Sequence, residues 1–228
     1  MTTRAGAFVE VGGFSTFVAD DYGPKVKAAL RGGSYEKRER DLVARFLLPA
    51  DRVLELGTGV GVVAMTAARI VGPQGVVTYD ANPEIVADAR ANFARNGLEG
   101  IDARVGLLAN RRRFAPGAAA FGLEGEFWAS RRPGRQEGGF ERVISTPVFC
   151  LEDEIAAHAA NVLICDIEGG EVELLSGADL SALRLIVLET HYWAQGEIAT
   201  DAMVRELILS GFSIHLETAA WATMALRR

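Results

Sequence analysis

Arg52-Val53-Leu54-Glu55-Leu56-Gly57-Thr58-Gly59-Val60-Gly61-Val62-Val63-Ala64-Met65 begins as a short apolar run, turns on three glycines and continues into a helix-forming stretch. A strand that ends in glycines lets the backbone turn sharply and come close to a ligand. The free N–H groups of the following helix then face that ligand. A pyrophosphate site would need the spacing G-x-G-x-x-G. Here the spacing is G-x-G-x-G and Glu55 precedes it. That suits a nucleoside with an amino-acid tail: backbone amides take a carboxylate, and an acid takes an ammonium.

The pattern repeats outward from this turn. Val62–Ile70 reads as a helix, Gly75–Asp80 as a second strand, and Glu84–Asn96 as a helix with Pro83 in its first turn and Gly97 behind it. Ile101–Leu108, Asn161–Asp166 and Arg184–Glu189 read as further strands, and Asp201–Ser210 as a helix stopped by Gly211. Phe212–Glu217 and Trp221–Leu226 close the chain; their link is too short for a crossover, so they should run antiparallel. Apolar strands alternating with helices predict a doubly wound, Rossmann-like α/β sheet covered on both faces. Upstream, residues 1–50 form an extension: a hairpin turning at Gly12-Gly13, then a helix over Lys37–Leu48. Residues 110–140 break the rhythm. They carry Arg111-Arg112-Arg113 and Arg131-Arg132 among glycines and read as a solvated excursion or a lid.

The 228 residues suit one domain over 1–228. A hydrophobic fraction of 49% argues against disorder, and a net charge of -6 argues against broad binding to nucleic acid or anionic membrane. Two cysteines without paired spacing fit a reducing compartment, and the N-terminus shows no apolar leader. A cytoplasmic protein is the expectation.

Three clusters carry chemistry. Asp80 ends the second strand, about 20 residues past Gly57, where an acid holds ribose hydroxyls. Ala81 follows it, and Leu107-Leu108-Ala109 offers an apolar wall for a base. Asp166 and Glu168 leave the buried run Val162–Cys165 at alternate positions and point the same way while the chain stays extended. They can take a proton, orient a substrate, or hold a divalent cation such as Mg2+. Glu171 reads as a first-turn helix acid. His191, just past the fifth strand, is a proton acceptor at the same sheet edge, and Tyr192 and Trp193 are candidates to line an acceptor pocket.

From Tyr35-Glu36 to His191, without the insert, the chain resembles the FkbM-type branch of class I S-adenosylmethionine (SAM)-dependent methyltransferases. Leu163-Ile164-Cys165-Asp166-Ile167-Glu168-Gly169-Gly170-Glu171, Leu174-Leu175-Ser176-Gly177-Ala178 and Leu185–His191 carry the resemblance. The branch commonly has Asp-x-Gly-Ala-Asn-x-Gly at the first turn, where this chain has Glu55–Gly61. The resemblance implies the class I methyltransferase fold, a sheet of seven strands ordered 3-2-1-4-5-7-6 with the last antiparallel. It implies O-methylation of a hydroxyl on a small molecule such as a natural product or a sugar. Glu55, Gly57, Thr58, Gly59, Gly61, Asp80, Ala81, Leu108 and Asp166 would meet SAM, and Tyr35, Glu36, Tyr192 and Trp193 the acceptor. Asp166, Glu168 and His191 would serve the reaction. Three other readings compete: an NAD-dependent oxidoreductase, a non-catalytic SAM-binding or partner protein, and an RNA methyltransferase using the insert's arginines. The hairpin and the insert are candidate interfaces for a homo-oligomer.

Overall fold

A computed structural model of the chain describes residues 4–124, 130 and 140–228. Seven strands form the central sheet: β3 (Val53–Leu56), β4 (Val76–Asp80), β5 (Asp102–Val105), β9 (Val162–Cys165), β10 (Leu185–Glu189), β11 (Ser213–Ile214) and β12 (Thr223–Arg227). Their order is β5-β4-β3-β9-β10-β12-β11, which is 3-2-1-4-5-7-6 when counted along the chain. β12 alone runs against its parallel neighbours, pairing antiparallel with β10. The predicted doubly wound sheet and its antiparallel last strand are therefore present.

Both faces of the sheet are buried, which is why its strands read as nearly continuous apolar runs. Side chains alternate between the two cores. Val53, Val162, Ile164, Leu185 and Val187 pack on one face with α2 (Lys37–Phe46), α3 (Val62–Val71) and α4 (Pro83–Arg95). Leu54, Leu56, Leu163, Cys165, Ile186 and Leu188 pack on the other with α5 (Leu151–His158), α6 (Glu171–Leu175) and α8 (Glu197–Leu209).

The N-terminal extension docks on the first face. β1 (Gly6–Val11) and β2 (Phe14–Ala19) pair through Gly12-Gly13, whose φ of 60° and 79° match the two positive angles of a type I′ turn. Asn92 of α4 and Asn96, which caps that helix, accept the Phe17 and Ser15 N–H groups at 2.8 and 3.0 Å, tying the hairpin down. α1 (Pro24–Arg31), absent from the sequence reading, starts on Pro24.

The excursion needs correction. The predicted strand 101–108 splits at Gly106 into β5 and β6 (Leu107–Ala109), and β6 joins a separate three-stranded sheet. There it lies beside β8 (Arg142–Cys150), which pairs antiparallel with β7 (Gly117–Leu123). The sequence Gly117-Ala118-Ala119-Ala120-Phe121-Gly122-Leu123 has neither alternation nor β-branched residues, so it gave no strand signal. Arg131 and Arg132 lie outside the described residues. The closing strands are shorter than predicted, α2 stops at Phe46, and α8 begins four residues early behind Gly196, with the short α7 (Tyr192–Gln195) before it. Among the described residues no helix is long and apolar enough to cross a membrane.

Candidate functional site

Sheet register sets the site. Leu56 lies opposite Tyr79 on one side and Cys165 on the other, and Cys165 lies opposite Leu188. The next residues, Asp80, Gly57, Asp166 and Glu189, therefore form one row across the carboxyl ends of β4, β3, β9 and β10. This is the edge where open α/β sheets hold ligands.

On one side of the row is a cleft of about 640 Å³. Its lining includes Gly57, Gly59, Asp80, Ala81, Leu108 and Asp166. Gly57 has φ 92°, and a Cβ there would sit 1.7 Å from the Asp166 carbonyl oxygen. A Cβ on Gly59 would meet the Tyr35 hydroxyl at 2.5 Å. Only glycine keeps this cradle open. Asp80 accepts hydrogen bonds from the Gly59 N–H at 3.1 Å and the Asn82 N–H at 2.9 Å. Burial pushes its carboxyl up to about 6, and the N–H groups of Asn82, Gly59 and Ala81 hold it from rising further.

Three residues assigned to the cofactor lie elsewhere. Thr58 is buried, its hydroxyl 2.6 Å from that of Thr78. Gly61 packs against the Phe93 ring at the start of α3. Glu55 is 1% exposed and points under α3 instead of lining the cleft, because strand alternation puts it on the same face as Val53.

On the other side lies a cavity of about 1160 Å³ between α2 and the end of the sheet. The two spaces share a wall of Tyr35, Glu36, Asp166, Glu168 and Trp193. Tyr35 is buried, and its hydroxyl bonds the Glu36 carboxyl. Burial drives the Glu36 carboxyl well above its ordinary range; the Tyr35 bond opposes this, and Glu39, Glu55 and Glu189 add to it. Asp166 is likewise raised well above its ordinary range, by burial first and then by Glu189, Glu168, Glu36 and Glu39. Trp193 stands 61% exposed at the rim, 5.9 Å from the His191 ring. Tyr192 lines neither space; its hydroxyl turns to Asp201 and Thr190.

His191 is held from behind by Glu171. Nδ1 lies 2.7 Å from Glu171 Oε1, and the same oxygen accepts the Gly169 N–H at 3.0 Å. Nε2 faces Glu168 Oε2 at 3.3 Å and Asp166 Oδ1 at 3.7 Å. Burial opposes the imidazolium, but the Glu171 bond and the charges of Glu168, Glu171 and Glu189 raise the His191 pKa on balance. The reading of Glu171 as a helix-end acid is thus incomplete: the contact joins residues twenty apart, beyond any local pattern. Glu189 was also missed as a site residue. The signal that could have found it is an acid ending a strand in step with Asp166. For a metal, the sequence paired Asp166 with Glu168; among the described residues, Asp166, Glu189 and His191 bring three ligand atoms within 4.8 Å of one another.

Comparison with known proteins falls on the first half of this architecture. Residues 39–109 match the Protein-L-isoaspartate(D-aspartate) O-methyltransferase family model. An arsenite methyltransferase from Halobacterium salinarum is 41% identical over 63 residues, 27% of this chain and 16% of that protein. A ribosomal protein L11 methyltransferase from Symbiobacterium thermophilum is 45% identical over 60 residues, 26% of this chain and 19% of that protein. The match thus spans less than a fifth of each relative's length. The structure of wild-type Trm5b from Pyrococcus abyssi superposes with a TM-score of 0.53 at 13% identity, covering 99% of this chain and 56% of that one; that likeness is one of fold. The fold is that of class I methyltransferases. The segment that the family model matches is the one that carries the glycine cradle and Asp80.

Proposed function

We propose that this chain is a SAM-dependent O-methyltransferase of the FkbM type, acting on a hydroxyl of a small molecule such as a natural product or a sugar. One observation carries the reading: two cavities meet at a single wall, and Asp166 is part of it. A cofactor in the smaller cleft and an acceptor in the larger cavity would face each other there. The cleft fits SAM. The cradle at Gly57 and Gly59 has no room for a Cβ, Asp80 offers a carboxylate at ribose position, and Ala81 and Leu108 offer apolar surface for adenine.

Bound there, SAM would supply an activated methyl group. The chain's own tasks are positioning, exclusion of water and removal of the hydroxyl proton. Glu36 and Trp193 close the wall over the acceptor, and Asp166, with Glu168 and His191 beside it, receives the proton. A homo-oligomer is part of this proposal, with the hairpin or the insert as its interface.

Titration calorimetry with SAM, S-adenosylhomocysteine and NADH tests the reading. Micromolar binding of the first two and none of NADH is expected; preference for NADH would overturn it. Asp80→Asn should weaken SAM by roughly 10- to 100-fold, the worth of a hydrogen bond to a charged group. Because ribose hydroxyls donate to the ionised carboxylate, native affinity should rise as pH climbs through about 6. A flat profile over that window would remove Asp80 from the ribose.

A further inference from the structure

Glu189 lies within hydrogen-bonding reach of two other carboxyls, Asp166 and Glu39. Glu39 also accepts the Thr223 hydroxyl at 2.9 Å. Carboxylates in mutual contact need a shared proton or a cation. The basic side chains around the larger cavity are committed elsewhere. Lys37 pairs with Asp41 at 2.6 Å, Arg45 with Glu217 at 3.5 Å, and Arg38 lies over the Trp221 ring.

The imidazole adds a nitrogen ligand beside these carboxyls. The His191 side chain is 9% exposed, and that of Glu171 only 2%. A buried carboxylate bound to Nδ1 places the ring proton there and turns the Nε2 lone pair outward, the arrangement that orients metal-binding histidines. Nε2 faces two carboxylates, with Glu168 Oε2 at 3.3 Å and Asp166 Oδ1 at 3.7 Å, the second too far for a hydrogen bond. Two ligands each about 2.1 Å from one ion lie roughly 3 to 4 Å apart. Asp166 Oδ1 is buried and receives no donor. The ligand atoms of Asp166, Glu189 and His191 all fall within 4.8 Å of one another. The larger cavity, which Asp166 and Glu189 line, provides an entry path.

We propose that Asp166, Glu189 and His191 Nε2 bind one divalent transition-metal cation, with Glu171 as the positioning residue behind the imidazole. A nitrogen ligand favours Mn2+ or Zn2+ over Mg2+, which prefers oxygen alone. The ion would make Asp166 a ligand in place of a proton acceptor. Its use in methyl transfer rests on the function proposed above; its binding does not.

The test is uptake of Mn2+ by the full chain, followed by calorimetry and by loss of the free-ion electron paramagnetic resonance signal. One ion per chain is expected, with Mg2+ at least about tenfold weaker. Asp166→Asn and Glu189→Gln should abolish uptake while circular dichroism stays native. Glu171→Gln should weaken it roughly 10- to 100-fold, as loss of an outer partner does. If those variants fail to fold, nitrogen coupling on Mn2+ bound to the native chain decides: present, it supports the site; absent, it overturns it. No uptake of Mn2+ or Zn2+ at millimolar concentration overturns the proposal, as does uptake unchanged in folded Asp166→Asn or Glu189→Gln. A chain that binds Mn2+ but not SAM would keep this site and lose the methyltransferase reading. The converse result would do the reverse.

Discussion

Replacing Gly57 by alanine is expected to cost more than any other single methyl group added near the site. The new Cβ would lie 1.7 Å from the Asp166 carbonyl oxygen and 2.9 Å from its carbonyl carbon. Neither atom can swing away, because both belong to the backbone just past β9, and the Asp166 N–H is bonded to the Leu56 carbonyl at 3.0 Å. The φ of 92° adds strain of its own. Left-handed strain alone costs on the order of 1–3 kcal/mol, and parting two strand ends adds to that, so ~3 kcal/mol or more is expected. Urea denaturation reads the loss, and SAM affinity should fall with it, since Asp166 must leave the cleft wall. Gly97→Ala is the control. Gly97 has φ 70° and nothing within 4 Å of the added atom, so it carries the strain without the clash. Equal costs at the two positions would mean that the contact with Asp166 contributes nothing.

The same contact shows which parts of the molecule local sequence can disclose. The strand, turn and helix around Gly57 are legible because each residue there answers to its immediate neighbours. The strands themselves followed from the same rhythm, since apolar runs buried on both faces cannot be mistaken for surface, whereas their order came only from the family resemblance. Asp80 and Asp166 were legible as acids at strand ends. What stayed hidden depends on partners far along the chain. Glu171 gains its role only from His191, and Glu189 only from its register with Asp166. β7 is built from alanine and glycine and becomes a strand because β8 pairs with it along its whole length. Gly106 stands between β5 and β6, where the Phe149 ring fills the space a side chain would need. Thr58 and Tyr192 sit inside informative motifs yet point away from the cleft. A motif names neighbours in sequence and leaves the direction of each side chain to packing.

Glu55 is the sharpest instance, and it yields the second large effect. It stands in the motif where an acid suits a ligand's ammonium, yet it lies among Val53 and the apolar face of α3. No donor makes a full hydrogen bond to either carboxyl oxygen. Burial pushes this carboxyl up to about 8, with Thr78 and the Ala64 N–H pulling weakly the other way and Asp80 adding to the rise. The folded chain thus holds a proton that the unfolded chain, with an ordinary value of 4.5, releases. Stability must then fall as pH rises between about 4.5 and 8, with no penalty below that window and the full penalty above it. Glu55→Gln removes the titrating group. At pH 8 the variant should be more stable than the native chain by a few kcal/mol, since each pH unit crossed between 4.5 and about 8 costs the native chain on the order of 1.4 kcal/mol, while at pH 4.5 the two should nearly coincide. Thermal unfolding across that range measures the difference, and parallel curves would disprove the buried, unpaired state of Glu55. Calorimetry with SAM on the same variant then separates the motif's promise from its geometry. Because Glu55 does not line the cleft, its loss should change cofactor affinity far less than Asp80→Asn. An equal loss would mean that the acid reaches the ammonium through the glycine turn.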